Sequence, residues 1–223
     1  MAATIEQAMG MVNHQSPRAF GEGKYIDWKL SKRGEPCIID FYTEMVLEGR
    51  GYQVKAGTIT TPIAADVAIT DTAAEMCVDA GQGLAVIPVY LNISVRSGGT
   101  STANEYALKT VDTVSSAGTV FVALPLLGDT DGPAAVATAR AQTAGAVTVT
   151  AELATSTRRL WSYSNPVAFG AGNEVSTHEY EPRMPHLIAN NACCYLQVAS
   201  AVTTVPSYYA SLDWLEILWV SIS

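Results

Sequence analysis

From residue 37 onward the chain alternates between short apolar runs and clusters of Gly, Pro, Asp and Ser. Successive side chains of a strand point to opposite faces, so runs of this length with such punctuation predict strands. Strands are expected at 37–47, 49–60, 84–96, 105–114, 119–127, 146–153 and 158–169, with weaker candidates at 67–70 and 74–80. Pro88 has no N–H for a ladder and marks a bulge or an edge in the long run 84–96. Two more strand-length runs close the chain, on either side of a polar turn containing Pro206. In the last of them Leu212, Trp214, Glu216, Leu218 and Val220 face one way. Ser211, Asp213, Leu215, Ile217 and Trp219 face the other, so the C-terminus is expected inside a sheet. One helical candidate exists, residues 134–144 after Pro133, weakened by Thr138, Thr143 and Gly145, with a loop as the alternative. Before residue 37 the pattern is different. Residues 1–12 suit a turn or two of helix, 14–24 read as extended, and Tyr25, Ile26, Trp28 and Leu30 form an apolar segment before the turn at 31–36.

Some eight to ten strands at spacings of about ten to fifteen residues, with only one helical candidate among them, favour a sandwich or jelly roll over a βαβ architecture. The expectation is an all-β chain: an antiparallel β-sandwich, a jelly roll of about eight strands (residues 35–223), preceded by an extended N-terminal arm (residues 1–34). Composition sharpens this picture. Of 223 residues, 48% are hydrophobic and only 15% charged, well under the roughly 25% charged of ordinary domains. Either the core is unusually large or part of the surface is covered by partners. No run reaches the ~18 apolar residues of a membrane span, which favours subunit contact over membrane.

Charge is unevenly spread. The arm holds Arg18, Lys24, Lys29, Lys32 and Arg33 against Glu6, Glu22 and Asp27. Residues 56–157 hold only Arg96, Lys109 and Arg140 against nine acids, within a net charge of −8. Phosphate neutralisation by Lys and Arg dominates nucleic-acid binding, so strong binding of that kind is not expected. The N-terminus shows no basic region followed by an apolar one, so no secretory signal is expected. The four cysteines, Cys37, Cys77, Cys193 and Cys194, then read as reduced buried thiols, and the sequon at Asn92 as chance.

Reactive chemistry is thinly represented. His14, His178 (assigned to a loop) and His186 form no metal-binding spacing, and adjacent Cys193 and Cys194 face opposite sides of a strand. The turn Gly128-Asp129-Thr130-Asp131-Gly132 opens like a calcium loop, but no acid occurs in 133–144 to complete it. There is no GxSxG, and Gly21-Glu22-Gly23 and Gly81-Gln82-Gly83 lack the third glycine of a phosphate cradle. Acids such as Asp40, Glu44, Asp71, Glu75 and Asp79 form no recognisable catalytic pair. Tyr163, Trp161, Tyr208 and Tyr209 could stack on sugar rings, though aromatics at such positions more often fill cores and interfaces. No catalytic, cofactor or metal residue is therefore assigned.

The extended arm, the β-only body rich in Ala, Thr, Val and Gly, and the closing run YASLDWLEILWV (209–220) resemble jelly-roll virion structural proteins. Coat proteins of tailless bacteriophages and the heads of phage fibres are of this kind. The resemblance implies a non-enzymatic capsid shell subunit, made in a host cytoplasm and residing in the virion. It would assemble with copies of itself and with other virion proteins. Expected subunit contacts are Tyr25, Ile26 and Trp28 in the arm and Trp219 at the terminal edge. The acidic balance departs from coats that hold naked genome with a basic arm, which implies an intervening inner layer or membrane, or an outer position. Two alternatives follow from the same features. One is a trimeric receptor- or glycan-binding fibre head using loops 97–104 and 170–178, and the other is a carbohydrate-active enzyme on a sandwich scaffold.

Overall fold

The apolar runs become strands, and which of their faces are apolar decides how they pair. The computed structural model describes residues 40–66, 70–97, 99, 104–128, 132–142, 147–165, 176–200 and 204–219. Residues 1–34, expected as an arm, and the arm contacts Tyr25, Ile26 and Trp28 lie outside the described residues. In chain order the described elements are α1 (Phe41–Leu47), β1 (Gly51–Ala56), β2 (Ile63–Ala64), β3 (Ala73–Ala74), β4 (Met76–Ala80), β5 (Leu84–Ser97), β6 (Asn104–Val111) and β7 (Thr119–Phe121). They continue with β8 (Leu124–Pro125), β9 (Thr138–Ala141), β10 (Val147–Thr148), β11 (Arg158–Asn165), β12 (Ser176–Tyr180), β13 (Ile188–Ala189), β14 (Ala192–Ser200) and β15 (Ser207–Leu218).

All named ladders are antiparallel, and two sheets dominate. The first runs β12-β5-β15-β1-β8, with β2 and β13 attached to β15 and β5. The second runs β11-β6-β14-β4-β9-β7. Their inner faces share one core: Val54, Leu91, Ile93, Leu212 and Trp214 from the first, Met76, Val78, Leu108, Leu196 and Val198 from the second. The chain is an all-β sandwich, as the strand pattern predicts. Its pairings nest. β1 pairs β15, β4 pairs β14, β5 pairs β12 and β6 pairs β11, so each successive strand meets the one equally far from the other end. That is the pairing of a single long hairpin whose tip lies between β6 and β11. Rolling this hairpin creates the two remaining long ladders, β15 with β5 and β14 with β6.

The closing runs are neighbours in sequence but not in a sheet: β14 is central in the second sheet and β15 in the first. β15 shows the anticipated alternation, with Tyr208, Ala210, Leu212 and Trp214 buried. On its other face Asp213 lies directly opposite Gln53, whose Nε2 donates to it at 2.7 Å. Pro88 sits at a bulge, because the β5–β15 register slips between Asp213–Tyr90 and Trp214–Pro88.

Several local expectations are corrected. The run expected as a strand at 37–47 is helical from Phe41 to Leu47. Short apolar runs fit either period, and here the caps decide. The Asp40 side chain accepts from the Thr43 N–H at 3.0 Å. At the other end Gly49, at φ 72, lets its own N–H reach the Val46 carbonyl and the Arg50 N–H the Met45 carbonyl. Met45 then packs on Ile87 and Leu215, covering the outer face of the first sheet. The helical candidate at 134–144 is instead strand β9, where Ala137, Ala139 and Ala141 are buried in alternation and pairing with β4 and β7 overrides alanine's helix propensity. The single strand expected at 119–127 is split between β7 and β8, in different sheets, and little of 146–153 is strand beyond Val147–Thr148. His178 lies in strand β12, not in a loop. Residues 67–69 lie outside the described residues.

The outer face of the second sheet is also covered. Cys77, Val111, Cys193 and Tyr195 pack there beneath Val147 and Val149. This covering segment, from the long connection between β6 and β11, is pinned by buried polar contacts. Asp79 accepts from the Ser115 N–H and Oγ at 2.8 and 2.7 Å. Lys109 Nζ donates to Glu152 at 2.6 Å and to Gln197 at 2.8 Å. A large core accordingly explains part of the shortage of charge.

Candidate assembly surface

Rolling a hairpin into two sheets leaves open edges, because β1 and β4 would each present unpaired N–H and C=O groups on one side. The connection between β6 and β11 covers both. β9 and β7 extend the second sheet past β4, while β8 pairs with β1 in the first. Residues 119–125 thus form a strap from one sheet to the other. Phe121 and Ala123 turn inward onto the core. Val120, Val122 and Leu124 turn outward and are 58%, 89% and 52% exposed. Val136, on the approach to β9, is 70% exposed. No charged residue occurs between Thr119 and Leu127. The approach to β9 is itself held rigidly, since the buried Glu216 carboxylate accepts from the Val136 and Ala137 N–H groups at 2.9 and 3.0 Å and from Trp214 Nε1 at 3.2 Å.

The opposite side of the sandwich is guarded differently. Edge strand β11 carries Arg158 and Arg159, the latter 3.5 Å from Glu105. Edge strand β12 carries His178 and an exposed Glu179 that accepts from Tyr90 at 2.8 Å. His178 stacks on Tyr163 at 4.1 Å and lies 5.1 Å from Tyr106, joining the two sheets at that side. Burial holds its pKa below the ordinary value. Charges and close stacking discourage edge-to-edge pairing; the strap has neither device apart from Pro125.

The other sequence-level candidates disperse. Tyr208 is fully buried, Trp161 packs against the core, and Tyr163 is engaged with His178, so no aromatic platform forms among them. His186 is exposed, while His14, Cys37, Asp129 and Asp131 lie outside the described residues. Among the described residues no group of three or more His, Cys, Asp or Glu converges in a metal-binding arrangement. Cys77, Cys193 and Cys194 are free and buried, as expected. Cys77 is 2.9 Å from Ser115 Oγ, but burial and Asp79 push its thiol up to about 12, far from a nucleophilic thiolate. Trp219 is partly exposed, its N–H donating to the Gly83 carbonyl at 2.9 Å, and it lines a cleft of about 290 Å³.

Nothing in the local sequence marks the burial of Glu75. Glu75 is 1% exposed, and neither carboxyl oxygen makes a hydrogen bond of ordinary geometry. Desolvation, followed by the charge of Asp66, raises it to about 8, partly opposed by the nearby Tyr208 hydroxyl and Asp66 amide. The strap's exposure was equally hidden, since an uncharged apolar run reads as core; the absence of any charge over nine residues was the available signal.

Comparison of the chain with protein-family models, with curated proteins and with solved structures finds no match. No helix among the described residues is long and apolar enough to cross a membrane.

Proposed function

We propose that this chain is a structural subunit of a virus or bacteriophage shell, folded as a jelly roll, which acts by burying its apolar strap against copies of itself. The nested pairing of β1, β4, β5, β6, β11, β12, β14 and β15 supports the jelly-roll reading, since two interleaved Greek keys produce it. The observation that carries the functional reading is the outward row Val120, Val122 and Leu124 on an uncharged strap, beside a well-guarded opposite edge. Leu47, Ile59 and Met184 are exposed elsewhere, but the strap sets three apolar side chains in one uncharged row, which is costly in a monomer and useful in closed symmetric assemblies. In this reading residues 1–34 reach over a neighbouring subunit through Tyr25, Ile26 and Trp28. The chemistry is contact alone, with no catalytic group.

Purified full-length chain, examined by size-exclusion chromatography with light scattering and by negative-stain electron microscopy, tests this directly. A large, defined, symmetric homo-oligomer is expected. A solitary monomer at all concentrations would reject the reading.

A further inference from the structure

The strap accounts for one side of the molecule; one end of the sandwich carries a second, independent feature. There the beginning and end of the β6–β11 connection, strand β13 with the turn after it, and Trp219 just past β15 converge around the cleft of about 290 Å³. Its volume is at the small end for ligand sites. Its walls are fixed by the scaffold. Gly83 ties two of them together, accepting from the Trp219 N–H at 2.9 Å and donating to Asn190 Oδ1 at 3.3 Å. Asn190 and Asn191 both hold positive φ, 54° and 63°, the left-handed conformation that asparagine tolerates in a tight turn. Arg158 lies directly opposite Thr110 in the β6–β11 ladder, and Asp112 follows two residues on.

The lining mixes three kinds of group. Trp219 supplies an aromatic surface beside apolar Leu187 and Ile188. Asp112 and Arg158 supply an acceptor pair and a donor fork, both exposed and neither in an ion pair with a described residue. Ser156 contributes a buried hydroxyl without a hydrogen-bond partner. Each ligand class meets this set differently. A purely apolar ligand would desolvate Asp112, Arg158 and Ser156 without return. A nucleotide would bring phosphates to a single cation that sits near a carboxylate. A pyranose ring presents vicinal hydroxyls that both give and accept, and a C–H face that packs on an aromatic ring.

We infer that this cleft is a binding site for a neutral sugar ring, with Asp112 and Arg158 engaging ring hydroxyls and Trp219 packing against its apolar face. In this role Trp219 serves a ligand in place of the subunit contact expected from sequence. The inference does not depend on the chain forming a shell, and it places the sugar away from loops 97–104 and 170–178.

Saturation-transfer NMR on the full-length protein tests it with glucose, galactose, mannose and N-acetylglucosamine in turn, alongside tryptophan fluorescence titration. At least one sugar should receive saturation on its ring protons and bind saturably with a Kd of about 1 mM, a typical affinity for so small a contact. Asp112→Ala and Arg158→Ala, both at exposed positions, should each weaken binding at least tenfold with unchanged circular dichroism. Trp219→Phe should abolish the fluorescence response and retain the NMR signal. Absence of saturation transfer to all four sugars would overturn the proposal, as would binding undiminished in both Asp112→Ala and Arg158→Ala.

Discussion

Replacing Glu75 by Gln should flatten the dependence of folding stability on pH. In the native state the Glu75 carboxyl is almost wholly buried and its pKa rises from 4.5 to about 8. In the unfolded chain it is solvated and titrates near the ordinary value. Between these two pKa values the folded protein holds a proton that the unfolded chain has released. Stability therefore falls as pH rises through this window, by about 1.4 kcal/mol per pH unit. Over the interval from 4.5 to about 8 the limiting loss is about 5 kcal/mol. Below the window the contribution is fully present, and above it the loss is complete. Gln carries no titrating proton and so lacks this slope. Urea unfolding at constant protein concentration, followed by tryptophan fluorescence at pH 5, 7 and 9, measures it. The difference between the two slopes is the test, because the amide also exchanges one set of buried polar atoms for another. Wild type should lose several kcal/mol more than Glu75→Gln between pH 5 and pH 9. Parallel profiles would refute the claim that Glu75 is buried as a neutral acid.

Three further outcomes are expected. Glu216→Ala leaves the N–H groups of Val136 and Ala137 and the Trp214 indole without their acceptor; it should cost about 3 kcal/mol in chemical denaturation, and Glu216→Gln clearly less. His178, whose pKa burial holds below 6.5, favours the neutral ring, so its contribution is present above that pH and lost as pH falls; an NMR titration should give a midpoint below 6.5, and His178→Phe should lessen acid destabilisation. Deleting residues 1–30 should leave a chain with native circular dichroism that fails to assemble, and normal particles from this truncation would remove the arm from the account.

What could be seen in the sequence was the part governed by local pattern. The apolar runs at 84–96 and 105–114 and the alternating closing run at 209–220 became β5, β6 and β15, and Pro88 marked a bulge, because a missing N–H acts locally. Failures arose where distant partners decided. Residues 41–47 took a helix through the Asp40 cap and a hydrophobic seat formed by Ile87 and Leu215, far along the chain. Residues 137–141 became a strand because β4 offered an edge that small alanines could approach. The candidate surface was less legible still. Val120 and Val122 look like core in sequence, and only the split of residues 119–125 between two sheets turns them outward. Glu75 was one of several acids with no recognisable catalytic pairing, and nothing local in the sequence marks its burial.

If the outward row on the strap holds sister subunits together, a charge placed in it must break the assembly. Burying a valine side chain is worth about 1.5 kcal/mol or more, and a buried unpaired carboxylate costs more than that again. Val122 is 89% exposed in the single chain, so Val122→Asp should leave the fold intact while reversing the sign of the contact. Ser162→Asp, at an exposed position on the guarded edge strand β11, is the matched control. Light scattering at the column outlet should give a multi-subunit mass for wild type and Ser162→Asp, and the mass of one chain for Val122→Asp. Equal assembly of wild type and Val122→Asp would contradict the account.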